Sequence, residues 1–519
     1  METLIQNNNN HLHHHHHQPH VAILPCPGMG HLIPHLELAK HLCTFHGFQV
    51  TFFVYSTEAS AAQSRYLDAH TFPETLHIFH LPPRNISPFV TDSTDIQTRI
   101  SIIIRESLHD IESVVVNSTT TNDSPINVLV VDFFTTDAFD IAAKVGIPKY
   151  IFFCPAADLF PFMMYLPTLD RQVDGEFIDL KEPIKIPGCK RPIQIDDLVE
   201  PVRNRKIEGY KWFLHHAARF PLANGILLNT CQDLEPTIIR ALGEDPILQQ
   251  LGTPRVYPVG PLVKPSFEEV KSEYLTWMNE QPNDSVLFIS FGSGGTLSAE
   301  QMTELAWGLE LSQQRFIWVV RKPVEADASG TFFSVGNEQN NPDEYLPDGF
   351  LSRTQGRGLV IPTWAPQVEI LSHSSIGGFL THCGWNSTLE SIRHGVPMIA
   401  WPLYAEQRGN AALLEEEIGV AVRVRFKREN GVVGREKIER LVRLVMEDEG
   451  NNDDDDEGKK GLRGRVKELQ KLVIEAVDEG GSSYNALSEV AKEWKASVNG
   501  GINLKQVTEE ITEPNSSKD

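Results

Sequence analysis

From residue 19 onward, short apolar runs rich in Val, Ile and Phe alternate with longer stretches whose apolar residues return every three or four positions. HVAILPC at 20–26 is such a run, and it fits a strand covered on both faces. After it Leu32, Leu36, Ala39 and Cys43 recur at helical spacing, and QVTFFVYS at 49–56 reads as the next strand. A long amphipathic stretch, 95–116, leads into INVLVVD at 126–132, and a short helix precedes PKYIFFC at 148–154. Strands separated by helices in this way build a parallel sheet with helices on both faces. The alternation restarts at SVLFISF (285–291), where Ser298 and Gln301 have the spacing of a capping box at the next helix start. It continues through FIWVV (316–320), GLVIP (358–362), IGGFL (376–380), PMIAW (397–401) and VAVRV (420–424). The expected fold class is therefore α/β, with two Rossmann-like doubly wound domains facing across a cleft.

Punctuation along the chain suggests where these units begin and end. Residues 1–19 form an Asn- and His-rich tail, with His13 to His17 consecutive, and are excluded from the fold. The first domain is expected over 20–255. The Pro- and Gly-rich run VYPVGPLVKPSF (256–267) opens a linker region over 256–284. The second domain follows over 285–482. A helix over 483–497, carrying Tyr484, Leu487, Val490, Ala491 and Trp494, is expected to pack back on the first domain, before a disordered tail over 498–519. Two stretches, 322–347 and 447–460, read as surface loops. Asp453 to Asp456 in the second stand among Gly and Asn, which favours a solvated acidic loop over a metal site.

Charge and cysteine content narrow the class. With 46 basic against 69 acidic residues the net charge is −23, which argues against nucleic acid or an anionic membrane as the main partner. Six scattered cysteines without a CxxC pair fit a reduced, cytoplasmic chain. The N-terminus lacks the apolar core of a signal peptide, and no apolar run reaches the roughly 20 residues of a membrane span. A monomer is expected.

The most chemically specific segment is 364–407, WAPQVEILSHSSIGGFLTHCGWNSTLESIRHGVPMIAWPLYAEQ. Its strand IGGFL runs into Thr381-His382-Cys383-Gly384, and a helix starts at about Asn386. The free N–H groups and positive dipole end of a helix N-terminus can hold a diphosphate without a metal. Gly384 permits close backbone approach, and His382, Asn386 and Ser387 add donors. A second Gly-rich turn, Gly292-Ser293-Gly294-Gly295, follows the first strand of this half and can close over the phosphates. Taken alone, Ser387-x-x-Glu390 reads as a capping box.

This segment resembles, almost position for position, the signature box of plant family-1 UDP-glycosyltransferases, and the wider chain from GMGH (28–31) resembles the same family. The closest likeness is to its hydroquinone- and phenylpropanoid-glucosylating members. The resemblance implies two domains in the GT-B arrangement, UDP-glucose as co-substrate, no metal or other cofactor, and a small phenolic acceptor. It implies diphosphate contacts for Ser293, His382, Asn386 and Ser387, with Gly384 among the donor-binding residues. It puts Trp364 on the uracil with Gln367 nearby, and Glu390 on the ribose. Trp385, Glu406 and Gln407 hold the sugar hydroxyls, and Ala365 and Tyr404 complete the donor set.

Gly28-Met29-Gly30-His31 lies where the first strand turns into its helix, and Asp132 ends a later strand. Carboxyl ends of strands face the cleft in doubly wound folds. The helix's positive end is expected to keep His31 neutral and able to accept a proton. A base and a carboxylate that orients it form the arrangement that activates a hydroxyl, and the family resemblance implies these roles for His31 and Asp132. His20 starts a strand and is not the base; Asp137 and Asp140 are weaker partners. The expected reaction is a single displacement that inverts the anomeric carbon. Met29, Ile86, Phe89, Phe133, Phe134 and Phe160 are the candidates for the acceptor pocket. Cys26 and His35 depart from the Ser and aliphatic residue expected in relatives. Two rivals share parts of the pattern. A nicotinamide-dependent dehydrogenase would need a third glycine at Ile33 or Leu297, and a silent UDP-sugar-binding protein would not need both His31 and Asp132.

Overall fold

The apolar runs become the strands of two parallel sheets. The first sheet is built from β1 (His20–Leu24), β2 (Gln49–Tyr55), β3 (Leu76–Leu81), β4 (Ile126–Asp132), β5 (Lys149–Phe153), β6 (Gly225–Leu228) and β7 (Val256–Pro258). The second uses β8 (Val286–Ser290), β9 (Arg315–Val320), β10 (Gly358–Pro362), β11 (Ile376–Thr381), β12 (Met398–Ala400) and β13 (Ala421–Arg423). The computed structural model describes residues 18–120, 124–264, 273–325, 341–362, 364–426, 431–447 and 461–500. The histidine run, the aspartate run at 453–456 and residues 501–519 lie outside them, as do parts of the expected linker and polar loop.

Strand order is β3-β2-β1-β4-β5-β6-β7 in the first sheet and β10-β9-β8-β11-β12-β13 in the second. In each, the chain winds outward to one edge and then returns to the other side of its first strand. That reversal opens a crevice at the carboxyl ends of β1 and β4, and another at those of β8 and β11. Strand β1 is buried along its whole length, as a strand between two helical layers must be.

Three strands escape the apolar pattern. In β3 only Leu76 and Leu81 are buried, as suits an edge strand with few core contacts. β6 is four residues long. β7 corrects the linker expectation, because Val256, the first residue of the Pro- and Gly-rich run, pairs in register with Ile226 of β6. The ring of Pro258 costs nothing there, since β7 is the sheet's edge.

The helix Ser482–Gly500 follows the second sheet in sequence yet contributes Leu487, Val490, Ala491 and Trp494 to the core of the first sheet. Trp494 meets Phe48 edge-on at 5.9 Å and Tyr150 at 5.1 Å. Arg255 pairs with Glu489 at 2.6 Å and Glu493 at 3.2 Å on the same helix. The two halves also touch directly. Arg423 Nη1 donates to Asp197 Oδ2 at 3.1 Å, and the Glu200 amide donates to the Ala405 carbonyl at 3.0 Å.

Candidate active site

Gly28, with φ of 106°, makes the turn from β1 that an L side chain resists, and the helix Met29–His46 starts directly after it. His31 therefore stands at the carboxyl end of β1, next to Asp132 at the end of neighbouring β4. His31 Nδ1 lies 2.7 Å from Asp132 Oδ2, and the Phe134 amide donates to Asp132 Oδ1 at 2.9 Å. A carboxylate accepts only, so Nδ1 carries the ring hydrogen and Nε2 is left with a free lone pair. Cys154, which follows β5, puts its Sγ 3.3 Å from His31 Nδ1 and 3.6 Å from Asp132 Oδ2.

The electrostatics correct one expectation. Burial does oppose the imidazolium, but the charge and hydrogen bond of Asp132 outweigh it and raise the His31 pKa. The carboxylate at contact distance prevails over the helix end. For Asp132, burial favours the neutral acid, yet the charge and hydrogen bond of His31, with the Phe134 amide, hold its pKa below the usual carboxylate range. His20 is used elsewhere, between Ser124 O at 2.9 Å and Thr51 Oγ1 at 2.8 Å. Asp137 and Asp140 pair with His215 and Arg219.

Across the cleft stands the N-terminus of the helix Trp385–Arg393, with Gly384 in the capping position and no side chain capping it. The capping-box reading of Ser387 and Glu390 thus fails. Instead Gln367 Nε2 donates to Ser387 Oγ at 2.8 Å and to Glu390 Oε2 at 2.6 Å. Burial pushes the Glu390 carboxyl up to about 7, against the pull of Gln367 and Lys264. His382 is clamped between glycines, since a Cβ on Gly292 would come within 2.3 Å of its ring and one on Gly384 within 2.5 Å. Burial lowers its pKa to about 3, so it is neutral. Its Nδ1 is buried without a hydrogen-bond partner.

Two donor-set residues are engaged differently from the sequence expectation. The Trp385 indole N–H donates to the Asn229 carbonyl of the other half at 3.0 Å rather than standing free for a sugar hydroxyl. Gln407 Oε1 accepts from the Leu403 and Tyr404 amides at 2.9 and 3.0 Å, which fixes the loop before it. Asn386 Nδ2 donates to the Gly30 carbonyl at 2.7 Å, so the donor-side helix start is tied to the turn that carries His31. Glu406 is partly buried near His31, and its loss of solvation raises its pKa.

Both walls line one cavity of about 330 Å³. It brings together His31 and the whole donor set, namely Ser293, Trp364, Ala365, Gln367, His382, Gly384, Trp385, Asn386, Ser387, Glu390, Tyr404, Glu406 and Gln407. Trp364 keeps 42% of its surface exposed, leaving a ring face available. Asp132 sits behind His31, fully buried. Of the acceptor candidates, Met29, Phe133 and Phe134 line the cavity. Phe160 does not, because it is buried in the core and stacked on Phe220 at 5.4 Å. Ile86 lines a separate surface cleft, and Phe89 is half exposed. Sequence reasoning missed Ile96, Ile100, Leu159, Val199, Pro201 and Phe213 on the apolar wall, and Cys154 and Arg321 beside the polar groups. Cys154 and Arg321 directly follow β5 and β9, so the rule that found Asp132 could have found them.

Two Rossmann-like halves that close a His–Asp pair against a glycine-flanked helix start define a transferase acting on a nucleotide-activated group. Comparison with known proteins identifies which one. Residues 258–452 match the family model described as UDP-glucoronosyl and UDP-glucosyl transferase. The chain is 46% identical over 483 residues to the hydroquinone glucosyltransferase of Rauvolfia serpentina, covering 92% of this chain and 98% of that one. It is 44% identical over 481 residues to anthocyanidin 3-O-glucosyltransferase 5 of Manihot esculenta, covering 92% and 96%. Among solved structures, it superimposes on a UDP-glucosyltransferase from Polygonum tinctorium capable of glucosylating indoxyl with a TM-score of 0.81, at 42% identity and covering 92% and 99%. The chain belongs to the family-1 UDP-glycosyltransferases, and the dehydrogenase reading is set aside. Among the described residues, no helix is long and apolar enough to cross a membrane.

Proposed function

We propose that the protein transfers glucose from UDP-glucose to the hydroxyl of a small, flat phenol, with inversion to the β-glucoside. The observation that carries this reading is the His31–Asp132 pair, whose unoccupied Nε2 lies in the same cavity as the donor-side helix start. Phe133 and Phe134, centred 5.7 and 6.1 Å from the His31 ring, give a flat acceptor an apolar seat beside the base. The acceptor names of the relatives, hydroquinone, anthocyanidin and indoxyl, are all ring-borne hydroxyl compounds and support the same class.

In this reading His31 Nε2 takes the phenol's proton as the phenol oxygen attacks the anomeric carbon. The bond from that carbon to UDP breaks, and its electrons leave on the diphosphate. Asp132 stabilises the imidazolium that forms. The diphosphate is held by the backbone N–H groups at Trp385–Arg393 with Ser293, His382, Asn386 and Ser387, so no metal is required. Trp364 stacks on the uracil and Glu390, positioned by Gln367, meets the ribose. The six unpaired cysteines suit a reducing, cytoplasmic setting, and we read the protein as a monomer there.

The test is a set of incubations with UDP-glucose and a panel of phenols in excess EDTA, with products analysed by mass and by anomeric proton coupling. β-Glucosides at an undiminished rate are expected. α-Glucosides, or activity that returns only with Mg²⁺ or Mn²⁺, would overturn the reading.

A further inference from the structure

Behind the His31–Asp132 pair lies a group of side chains that sugar transfer does not use. His35, one helical turn after His31, is fully buried and meets Phe152 edge-on at 4.8 Å. Its Nδ1 is 2.8 Å from the His31 carbonyl oxygen, which only accepts, so Nδ1 carries the ring hydrogen. Burial lowers the His35 pKa to about 4, so the ring is neutral and Nε2 presents a bare lone pair. That Nε2 has no hydrogen-bond partner, and it faces Asp132 Oδ2 at 3.7 Å. Two acceptors confront each other with no hydrogen between them, an arrangement that folded proteins seldom leave unsatisfied. Cys154 Sγ completes a triad with them, 3.6 Å from Asp132 Oδ2 and with all three atoms within 4.8 Å of one another.

We propose that His35 Nε2, Asp132 Oδ2 and Cys154 Sγ form a binding site for a thiophilic divalent cation of the zinc type, and that its occupation shuts off sugar transfer. A tetrahedral cation with ligands at about 2.0–2.3 Å spaces them about 3.3–3.8 Å apart, and the separations of 3.6 and 3.7 Å already fall there. Three protein ligands of mixed N, O and S type leave the fourth position to water, and imidazole with thiolate favours zinc, cobalt or copper over magnesium or calcium. Burial holds the Cys154 thiol protonated, so the cation binds by displacing that proton to solvent. The cavity gives it entry, since Cys154 lies on the cavity wall. Once bound, the cation takes the Asp132 oxygen that orients His31, and its positive charge opposes the imidazolium. This inhibitory consequence rests on the proposed role of His31 and Asp132, whereas the site itself does not.

The test uses the full chain, stripped with EDTA and titrated with Co²⁺ and then Zn²⁺. One equivalent of Co²⁺ is expected to produce near-ultraviolet thiolate-to-cobalt absorption, which Zn²⁺ abolishes. The histidine run at 13–17 contains no sulfur and contributes nothing to that band. Cys154→Ala should lose the band. His35→Gln, which keeps every thiol, should weaken cobalt at least tenfold, the lower end of what loss of even an outer-sphere partner costs, about 10–100-fold. Zinc inhibition, measured for each variant against its own metal-free rate, should weaken by the same factor. A wild-type protein without the band, or a band that survives Cys154→Ala, overturns the site. A band that obeys both variants while turnover is unaffected by zinc keeps the site and overturns the reading of the His31–Asp132 pair as the proton acceptor.

Discussion

The two walls of the cavity are assembled in opposite ways. Nearly all of the proposed donor wall comes from one continuous stretch, 364–407, with Ser293 and Arg321 added from the turns after β8 and β9. The apolar wall gathers Met29, Ile96 and Ile100, Phe133 and Phe134, Leu159, Val199 and Pro201, and Phe213 from segments spread over almost two hundred positions. The donor wall is polar and prearranged, with Gln367, Ser387 and Glu390 already bonded to one another. The other wall is mostly apolar, with His31, Tyr66, Gln97 and Cys154 as its polar side chains. One wall can thus keep a fixed partner while the other changes a residue at a time, each change altering which flat molecule fits.

That division of labour makes quantitative claims. The largest effect is expected from His31→Ala, which should lower turnover by roughly 10²–10⁴-fold while leaving UDP affinity nearly unchanged. The defect should shrink for acidic phenols that are already ionised and need no base. A defect of constant size across phenols of differing acidity would make His31 a positioning group. Asp132→Asn should follow the same trend less steeply, and it should move the pH profile. Imidazolium cannot accept a proton, so turnover falls as pH drops through the His31 pKa, which Asp132 holds above the ordinary value. Without that charge burial prevails, and the acidic limb should shift to lower pH. An unmoved limb would show that the carboxylate does not set the base.

Trp364→Ala should weaken UDP and UDP-glucose alike, by about 1–3 kcal/mol if the ring stacks on the base, with no change in the KM for the phenol. Calorimetry showing a loss for the intact sugar donor alone would move Trp364 from the base to the sugar. The smallest effect is expected from Ile96→Ala, about 1–2 kcal/mol from lost apolar contact, read entirely in the phenol's KM. If UDP affinity falls as well, the walls are coupled and the comparison breaks.

The same contrast explains what could be read from the chain alone. The buried strands of both sheets were legible because a strand covered on both faces must be continuously apolar. The exceptions were β3, whose two histidines interrupt its apolar residues and which is buried only at its ends, β6, four residues long, and β7, three residues hidden in a Pro- and Gly-rich run. The donor wall was legible because its residues are neighbours in sequence. Their hydrogen-bond partners were not, since Trp385 bonds to Asn229 and Asn386 to Gly30 only once the halves have met. Of the acceptor candidates, Phe160 failed because an aromatic residue on a helix gives no sign of which side faces the core. Ile96 and Ile100 were overlooked for the converse reason, as apolar residues of an amphipathic helix that read as ordinary packing. The polarity of His31 was misjudged because a helix end is visible in sequence and the distance to a carboxylate is not.

The return of the helix Ser482–Gly500 to the first sheet has a consequence for how the protein is made. A ribosome releases β1 through β7 long before Trp494 exists, so the earlier half must wait with Phe48 and Tyr150 uncovered until the whole second sheet has been made. Until then its Arg255 also lacks Glu489 and Glu493. The half that holds His31 therefore completes its core last although it is synthesised first. A premature stop before residue 482 would release a chain that carries every proposed catalytic and donor-binding residue but lacks the cover for its own first sheet.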